Sequence, residues 1–257
     1  NLIQTYTYLQ LNYYELKNNA LTDILEPGST FKTASLLVAL NDKKISFNDS
    51  IDANKGLYKF GTTPMKDHNA GKPSAYGMLS VPQVLMYSSN VGTARLINEN
   101  YKDNPEKFVE GLHRMGLATH FPLLPGTGRP VIRKPNANKS NWSATALPWM
   151  SIGYETQIAP INIVSFYNAI ANGGVMVKPK FVRSIVKDGE VVEEIPTEVL
   201  NPGIASPKTI EQIQTILEKG VSEGLGKPAG SKQFHVSGKT GTAQVSKGSG
   251  GYKTGQM

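Results

Sequence analysis

The stretch EPGSTFKTASLLVAL, residues 26–40, carries the reading from which the rest of the chain falls into place. Pro27 and Gly28 are turn residues, Ser29 and Thr30 are helix-starting residues, and from Phe31 onward the apolar positions fit a helix. The expected helix runs from about Ser29 to Leu40, with Ser29 and Lys32 on one face about one turn apart. A cation in the first turn opposes the helix macrodipole, so helix stability gives no reason for Lys32 to stand there. Taken alone, the pair would be an N-cap and a surface cation. Two further motifs change that.

The 257 residues are 39% hydrophobic and 18% charged, a balance that supports a buried core in one or two domains and excludes a disordered tail. A formal net charge of +7 suits an anionic partner such as nucleic acid, an acidic membrane surface or a cell-wall polymer. The lysines are scattered, with no arginine-rich helix and no aromatic-basic motif, which argues against nucleic acid. Zero cysteines exclude disulfides, thiolate metal sites and a cysteine nucleophile. His68 in MKDHN has one neighbouring aspartate and no partner spacing, so it reads as a polar loop residue rather than a metal ligand. No run approaches the ~20 apolar residues of a membrane span, and the N-terminus lacks a signal peptide's basic start and apolar core. An anchored protein would carry its anchor outside this stretch.

Outward from residues 26–40, TYTYLQLNYY (5–14) alternates imperfectly and reads as an exposed strand or extended arm. Residues 43–77 are rich in Lys, Asn, Asp, Gly and Pro and read as a long surface excursion. SVPQVLMYSSNVGTARLINENY gives two helices broken at SSN, and NPEKFVEGLHRMG gives a third, with Pro105 early and Gly116 as a terminator. Residues 117–150 are loop-rich, with Trp142, Trp149 and the nearby Tyr154 expected in packing roles. PINIVSFYNAIANGG (160–174) is apolar on nearly every side and reads as a buried central helix. FVRSIVKDGEVVEEI is a hairpin about Asp188-Gly189, SPKTIEQIQTILEKGVSEG an amphipathic helix, and HVSGKTGTAQV a strand containing glycine.

The chain holds two SxxK pairs. Ser184 and Lys187 fall in the alternating run, where residues three apart point to opposite faces and cannot cooperate. Ser29 and Lys32, on a helix, can. SxN occurs as SFN (46–48) in a polar loop and as SSN (88–90) between two helices; packed helix ends position side chains better, so Ser88 and Asn90 are preferred. KTG occurs at 253–255 in a Gly/Ser/Lys-rich tail and at 239–241 in a strand-like run, where Lys239 can be presented beside a cleft.

The order EPGSTFK, YSSN, SGKTGTA resembles the penicillin-binding protein transpeptidases, which share S-x-x-K, S-x-N and K-T-G motifs with the serine beta-lactamases. The flanks NNALTDILEPGSTFK, SIGYETQIAPINIVSFYNAIANGG and SGKTGTAQ are similar to those of the class B enzymes, in particular the division-specific septal type. The resemblance implies a mixed α/β (α+β) fold of the beta-lactamase/transpeptidase kind, an antiparallel sheet packed against a helical subdomain with KTG on an inner strand. It implies a serine D,D-transpeptidase that cross-links peptidoglycan stem peptides through an acyl-enzyme on Ser29 and is a target of beta-lactams. The rival readings are a beta-lactamase or D,D-carboxypeptidase, in which water accepts the acyl group, and a beta-lactam sensor.

The residues supply matching roles. None of His68, His113, His120 and His235 lies in a nucleophile motif, so Lys32 is the available base for Ser29. It must then be neutral near pH 7, which burial and a second cation, Lys239, would favour. Ser29 at a helix N-terminus gains one N–H for an oxyanion, and the resemblance assigns the second to Thr242. Ser88 would pass a proton towards the leaving amine, and Asn90 would hold an amide of the substrate. Thr240 and Thr242, in and beside Lys239-Thr240-Gly241, would bind the terminal carboxylate. No metal and no organic cofactor is called for. Implied partners are stem peptides, beta-lactams and membrane proteins of division or elongation, not nucleic acid, on the periplasmic or extracellular face of the cytoplasmic membrane. The family pattern also implies that residues 1–257 form one transpeptidase domain, partial at both ends. The expected consequences are a truncated sheet, helices outnumbering strands and a segment 248–257 that is poorly packed or displaced.

Overall fold

Every side chain from Lys32 to Leu40 is buried, and a helix buried on all sides has to be surrounded. In this computed structural model, which describes residues 7–8, 11–12, 17–135, 142–241, 245–246 and 252–253, it is. Side chains are described within 17–135 and 142–241. The helices are α1 (Asn19–Thr22), α2 (Lys32–Asn41), α3 (Val81–Met86), α4 (Asn90–Tyr101), α5 (Pro105–Arg114), α6 (Ala146–Ser151), α7 (Pro160–Ala171) and α8 (Pro207–Ser222). α2 is the central one, packed against α3, α4, α5 and α8. Leu36 and Leu37 sit in one core with Ile97, Phe108, Leu112, Ile213 and Ile216. Truncating either leucine to alanine would cost about 2–5 kcal/mol through lost burial and the cavity left behind.

The helix starts follow side-chain chemistry. Ser80 and Gln83 form a capping box on α3, while Asn104 caps α5 and Ser206 caps α8, each with proline just inside. α7 differs from expectation. It buries Asn162, Ser165, Phe166, Ala169 and Ile170 but leaves Val164 61% exposed, so it is a flanking helix and the central place belongs to α2.

Strands pair antiparallel in twos among the described residues: β1 (Thr7–Tyr8) with β2 (Leu11–Asn12), β3 (Ser50–Asp52) with β6 (Met78–Ser80), and β4 (Leu57–Phe60) with β5 (Thr63–Lys66). Further along, β7 (Val131–Ile132) pairs with β8 (Thr156–Gln157), β9 (Met176–Val177) with β12 (Val199–Asn201), β10 (Ser184–Lys187) with β11 (Glu190–Glu194), and β13 (Val245–Ser246) with β14 (Tyr252–Lys253). The sheet is therefore fragmentary, as a truncated sheet would be. By number of segments among the described residues strands outnumber helices, contrary to expectation, although each is short. Asp188 and Gly189 both take positive φ, which is what a two-residue turn joining β10 to β11 requires.

Two more expectations are corrected. Residues 43–77 are not a surface excursion: they form β3, β4 and β5 and bury Ile51, Phe60, Met65, Asp67 and Asn69. Residues 235–241 form no strand; the segment runs along α8, with Gly238 N donating to Leu217 O at 3.2 Å. An inner strand needs neighbours to pair with, and no strand lies beside this one among the described residues. Thr242 and most of 248–257 lie outside the described residues. No helix among the described residues is long and apolar enough to cross a membrane.

Candidate active site

Ser29 stands not in α2 but in a 3₁₀ turn, Gly28–Phe31, that leads into it, and Lys32 is the first α-helical residue. Three residues per turn stacks position i over i+3, so the pair share a face more directly than on an α-helix. The turn is braced from outside. Gly28 N donates to Gly153 O at 3.1 Å, Glu155 N donates to Glu26 Oε1 at 3.0 Å, and Leu25 bridges Ile158. Gly28 and Gly153 both have positive φ, and a Cβ on Gly153 would lie 2.1 Å from Gly28 O. From below, the Tyr167 hydroxyl donates to Thr30 O at 2.9 Å and lies 2.8 Å from Thr33 Oγ1. Ser29 is half-buried, and no described side chain ties up its hydroxyl in a hydrogen bond.

Lys32 is fully buried and still finds three partners. Its Nζ lies 2.7 Å from Ser88 O, 3.1 Å from Ser88 Oγ and 2.6 Å from Asn90 Oδ1. Ser88 achieves this with φ of +52°, a strained conformation for serine that costs about 1–3 kcal/mol and turns its carbonyl and hydroxyl to the same lysine. Asn90 opens α4 and is held at its other end, where Nδ2 donates to Lys66 O at 2.8 Å. Its amide is thus engaged on both sides, leaving one Nδ2 proton for anything bound.

Burial above all, and then the nearby Lys239 ammonium, push Lys32 well below the ordinary lysine range, while Asp67 pulls the other way. A neutral amine has two N–H groups and one lone pair. Ser88 O and Asn90 Oδ1 can only accept, so they take both N–H groups and leave the lone pair to receive a hydroxyl proton. Lys239 is half-buried, and burial draws it down to about 8. Its Nζ rests on Thr240 O at 2.9 Å and Thr240 Oγ1 at 3.3 Å. Gly241 packs on the turn that carries Ser29 so closely that a Cβ there would meet Thr30 Cγ2 at 2.9 Å.

Of the residues singled out from sequence, the structure brings Ser29, Lys32, Ser88, Asn90, Lys239, Thr240 and Gly241 into one neighbourhood; Thr242 lies outside the described residues. Ser184 and Lys187 sit on the β10–β11 hairpin, with Lys187 exposed. Sequence reasoning missed Asp67, Gly153 and Tyr167. Asp67 looked like loop because its partners Ser89 and Val91 are remote in sequence. The signal that could have found Tyr167 is its phenol in a largely apolar helix, since a buried phenol needs a partner.

Known proteins share this arrangement of chain. The chain is 26% identical over 269 residues to a peptidoglycan D,D-transpeptidase FtsI homolog from Mesostigma viride, covering 96% of this chain and 44% of that relative. It superposes on the transpeptidase domain of penicillin-binding protein 3 from Burkholderia pseudomallei with a TM-score of 0.76 and 26% identity, covering 94% of this chain and 66% of that one. It likewise superposes on penicillin-binding protein 3 from Mycobacterium tuberculosis complexed with ampicillin, at 0.77 and 25%, covering 94% and 53%. The family described as penicillin-binding protein transpeptidase domain matches residues 2–257, and the chain belongs to it.

Proposed function

We propose that this chain carries the acyl-transfer site of a peptidoglycan D,D-transpeptidase. The observation that supports it most is the burial of Lys32 against Ser88 and Asn90, three residues from a half-exposed serine and within the field of Lys239. In the first step neutral Lys32 takes the Ser29 proton as Oγ attacks the carbonyl of the penultimate D-Ala. The tetrahedral intermediate collapses, the C–N bond to the last D-Ala breaks, and the proton leaves on that amine by way of Ser88. In the second step the amine of another stem peptide attacks the ester, returning the proton to Ser29. Lys239 and Thr240 meet the substrate carboxylate. A beta-lactam follows the first step with its ring amide in place of the peptide bond.

The relatives' names support this reading, as does the ampicillin complex of a structural neighbour. The natural setting we infer is the outer face of the cytoplasmic membrane, beside membrane proteins of division or elongation. The test is incubation with a stem-peptide thioester and a D-amino acid. Transfer to the amine is expected. Hydrolysis alone would favour a carboxypeptidase or beta-lactamase, and a single acylation by penicillin without turnover of thioester would favour a sensor.

A further inference from the structure

We propose that Asp67 is a positioning residue for this site: its carboxylate, reaching the start of α4 from the end of β5, fixes the backbone that carries the Ser88 and Asn90 acceptors around Lys32. The inference rests on the transpeptidase reading for what Lys32 does, but not for the geometry. Asp67 is 5% exposed. Its Oδ2 accepts from Ser89 Oγ at 2.7 Å and its Oδ1 from Val91 N at 3.0 Å. Ser89 Oγ in turn accepts from Gly92 N at 2.8 Å. Two N–H groups in the first turn of α4, which have no partner within the helix, are thereby satisfied, and the helix dipole favours a carboxylate there. One residue earlier Lys66 O holds Asn90, so the end of β5 grips residues 89, 90 and 91 in succession.

The grip is rigid because Asp67 is itself fixed. Its N–H donates to Gly56 O at 2.8 Å and its carbonyl accepts from Ala70 N at 3.1 Å. Gly56, at φ of +72°, presses so close that a Cβ there would lie 3.2 Å from Asp67 Cβ. The carboxylate has a second effect through space. The charged groups acting on Lys32 are Lys239, from the segment after α8, and Asp67, from the turn after β5, and they act in opposite senses. Tyr76 also faces Asp67; burial first and then this carboxylate raise its phenol.

Asp67→Asn keeps the shape and removes the charge, and Asp67→Ala removes both. Lys32 can be titrated directly by NMR in the full chain labelled with 13C-lysine, its signal assigned by loss in Lys32→Met. In Asp67→Asn the Lys32 midpoint should move to lower pH, since the carboxylate that raises it is gone. The rising limb of penicillin acylation against pH should fall with it, which a purely structural role would not produce. Asp67→Ala, with its melting followed in parallel, should acylate about tenfold or more slowly under conditions where it remains folded. An unmoved Lys32 midpoint in Asp67→Asn, or a folded Asp67→Ala acylating at the parental rate, would overturn the inference. Failure of the parent chain to acylate at Ser29 would instead defeat the transpeptidase reading, and the NMR titration would still judge Asp67.

Discussion

Lys32 Nζ lies 2.6 Å from Asn90 Oδ1, a contact that joins the first residue of the central helix to the first residue of α4. Each end is fixed independently, Lys32 by a buried helix and Asn90 by Lys66 O, so the amine has no freedom to turn toward solvent. A lysine held this way is suited to the base role proposed for it, because shedding its proton relieves the cost of a buried charge.

Lys32→Arg should therefore be nearly inactive. A guanidinium stays charged at any working pH and has no space where the lysine is fully buried. Acylation by fluorescent penicillin should drop by about 10²–10⁴-fold, the range a general base contributes, in protein shown to be folded by circular dichroism. A near-parental rate would mean that the base is another residue.

Ser29→Ala should abolish covalent labelling, and intact-mass spectra should show no adduct. Ser184→Ala is the control, since that serine belongs to the only other SxxK in the chain and lies on a hairpin whose Lys187 is exposed. Labelling that survives Ser29→Ala and is lost in Ser184→Ala would reverse the assignment.

Burial and Lys239 depress Lys32, so the limb on which acylation rises with pH should lie well below the 10.5 of an ordinary lysine. Lys239, drawn down to about 8, should set the opposite limb: above that pH it loses the charge proposed to meet the beta-lactam carboxylate, and the rate should fall. Lys239→Arg keeps the charge and should flatten the alkaline fall while leaving the rising limb in place. Stopped-flow acylation between pH 5 and 10 reads both limbs, and an alkaline fall unchanged in Lys239→Arg would discount Lys239.

The elements legible in the sequence were those whose causes are local. Ser80, Asn104 and Ser206 announce helix starts, and Asp188-Gly189 announces a hairpin. What could not be read depends on remote partners. The polar composition of 43–77 concealed short strands because each buries only an isolated residue such as Ile51, Phe60 or Met65, too few to show a period. Asp67 is buried by partners on α4, and the 3₁₀ geometry at Ser29 is fixed by contacts from Gly153 and Tyr167. KTG read as a strand because its neighbours are β-forming, but a strand needs another to pair with.

Gly153→Ala should disable the site without touching any motif. At φ of +88° alanine is already strained, and its Cβ would be placed 2.1 Å from Gly28 O and 2.7 Å from Gly28 N, closer than any real carbon approaches a backbone. Neither partner is a flexible side chain, so relief requires moving either the Gly153 loop or the turn that carries Ser29. The loop is tied through Glu155 N to Glu26 and through Ile158 to Leu25, which makes the turn move with it. The Gly28 N–H would lose its acceptor, Gly153 O, in the process. Strain, overpacking and the lost bond together should destabilise the fold by about 3 kcal/mol or more. Acylation measured well below the new melting point should still be at least tenfold slower, because a nucleophile displaced by about 1 Å loses its near-attack geometry. Gly173→Ala is the matched control: it too changes a glycine at positive φ, but with nothing within 4 Å of the added carbon, so it should cost about 1 kcal/mol and leave acylation alone. Equal losses of activity in the two variants would show that the Gly28–Gly153 contact does not position Ser29.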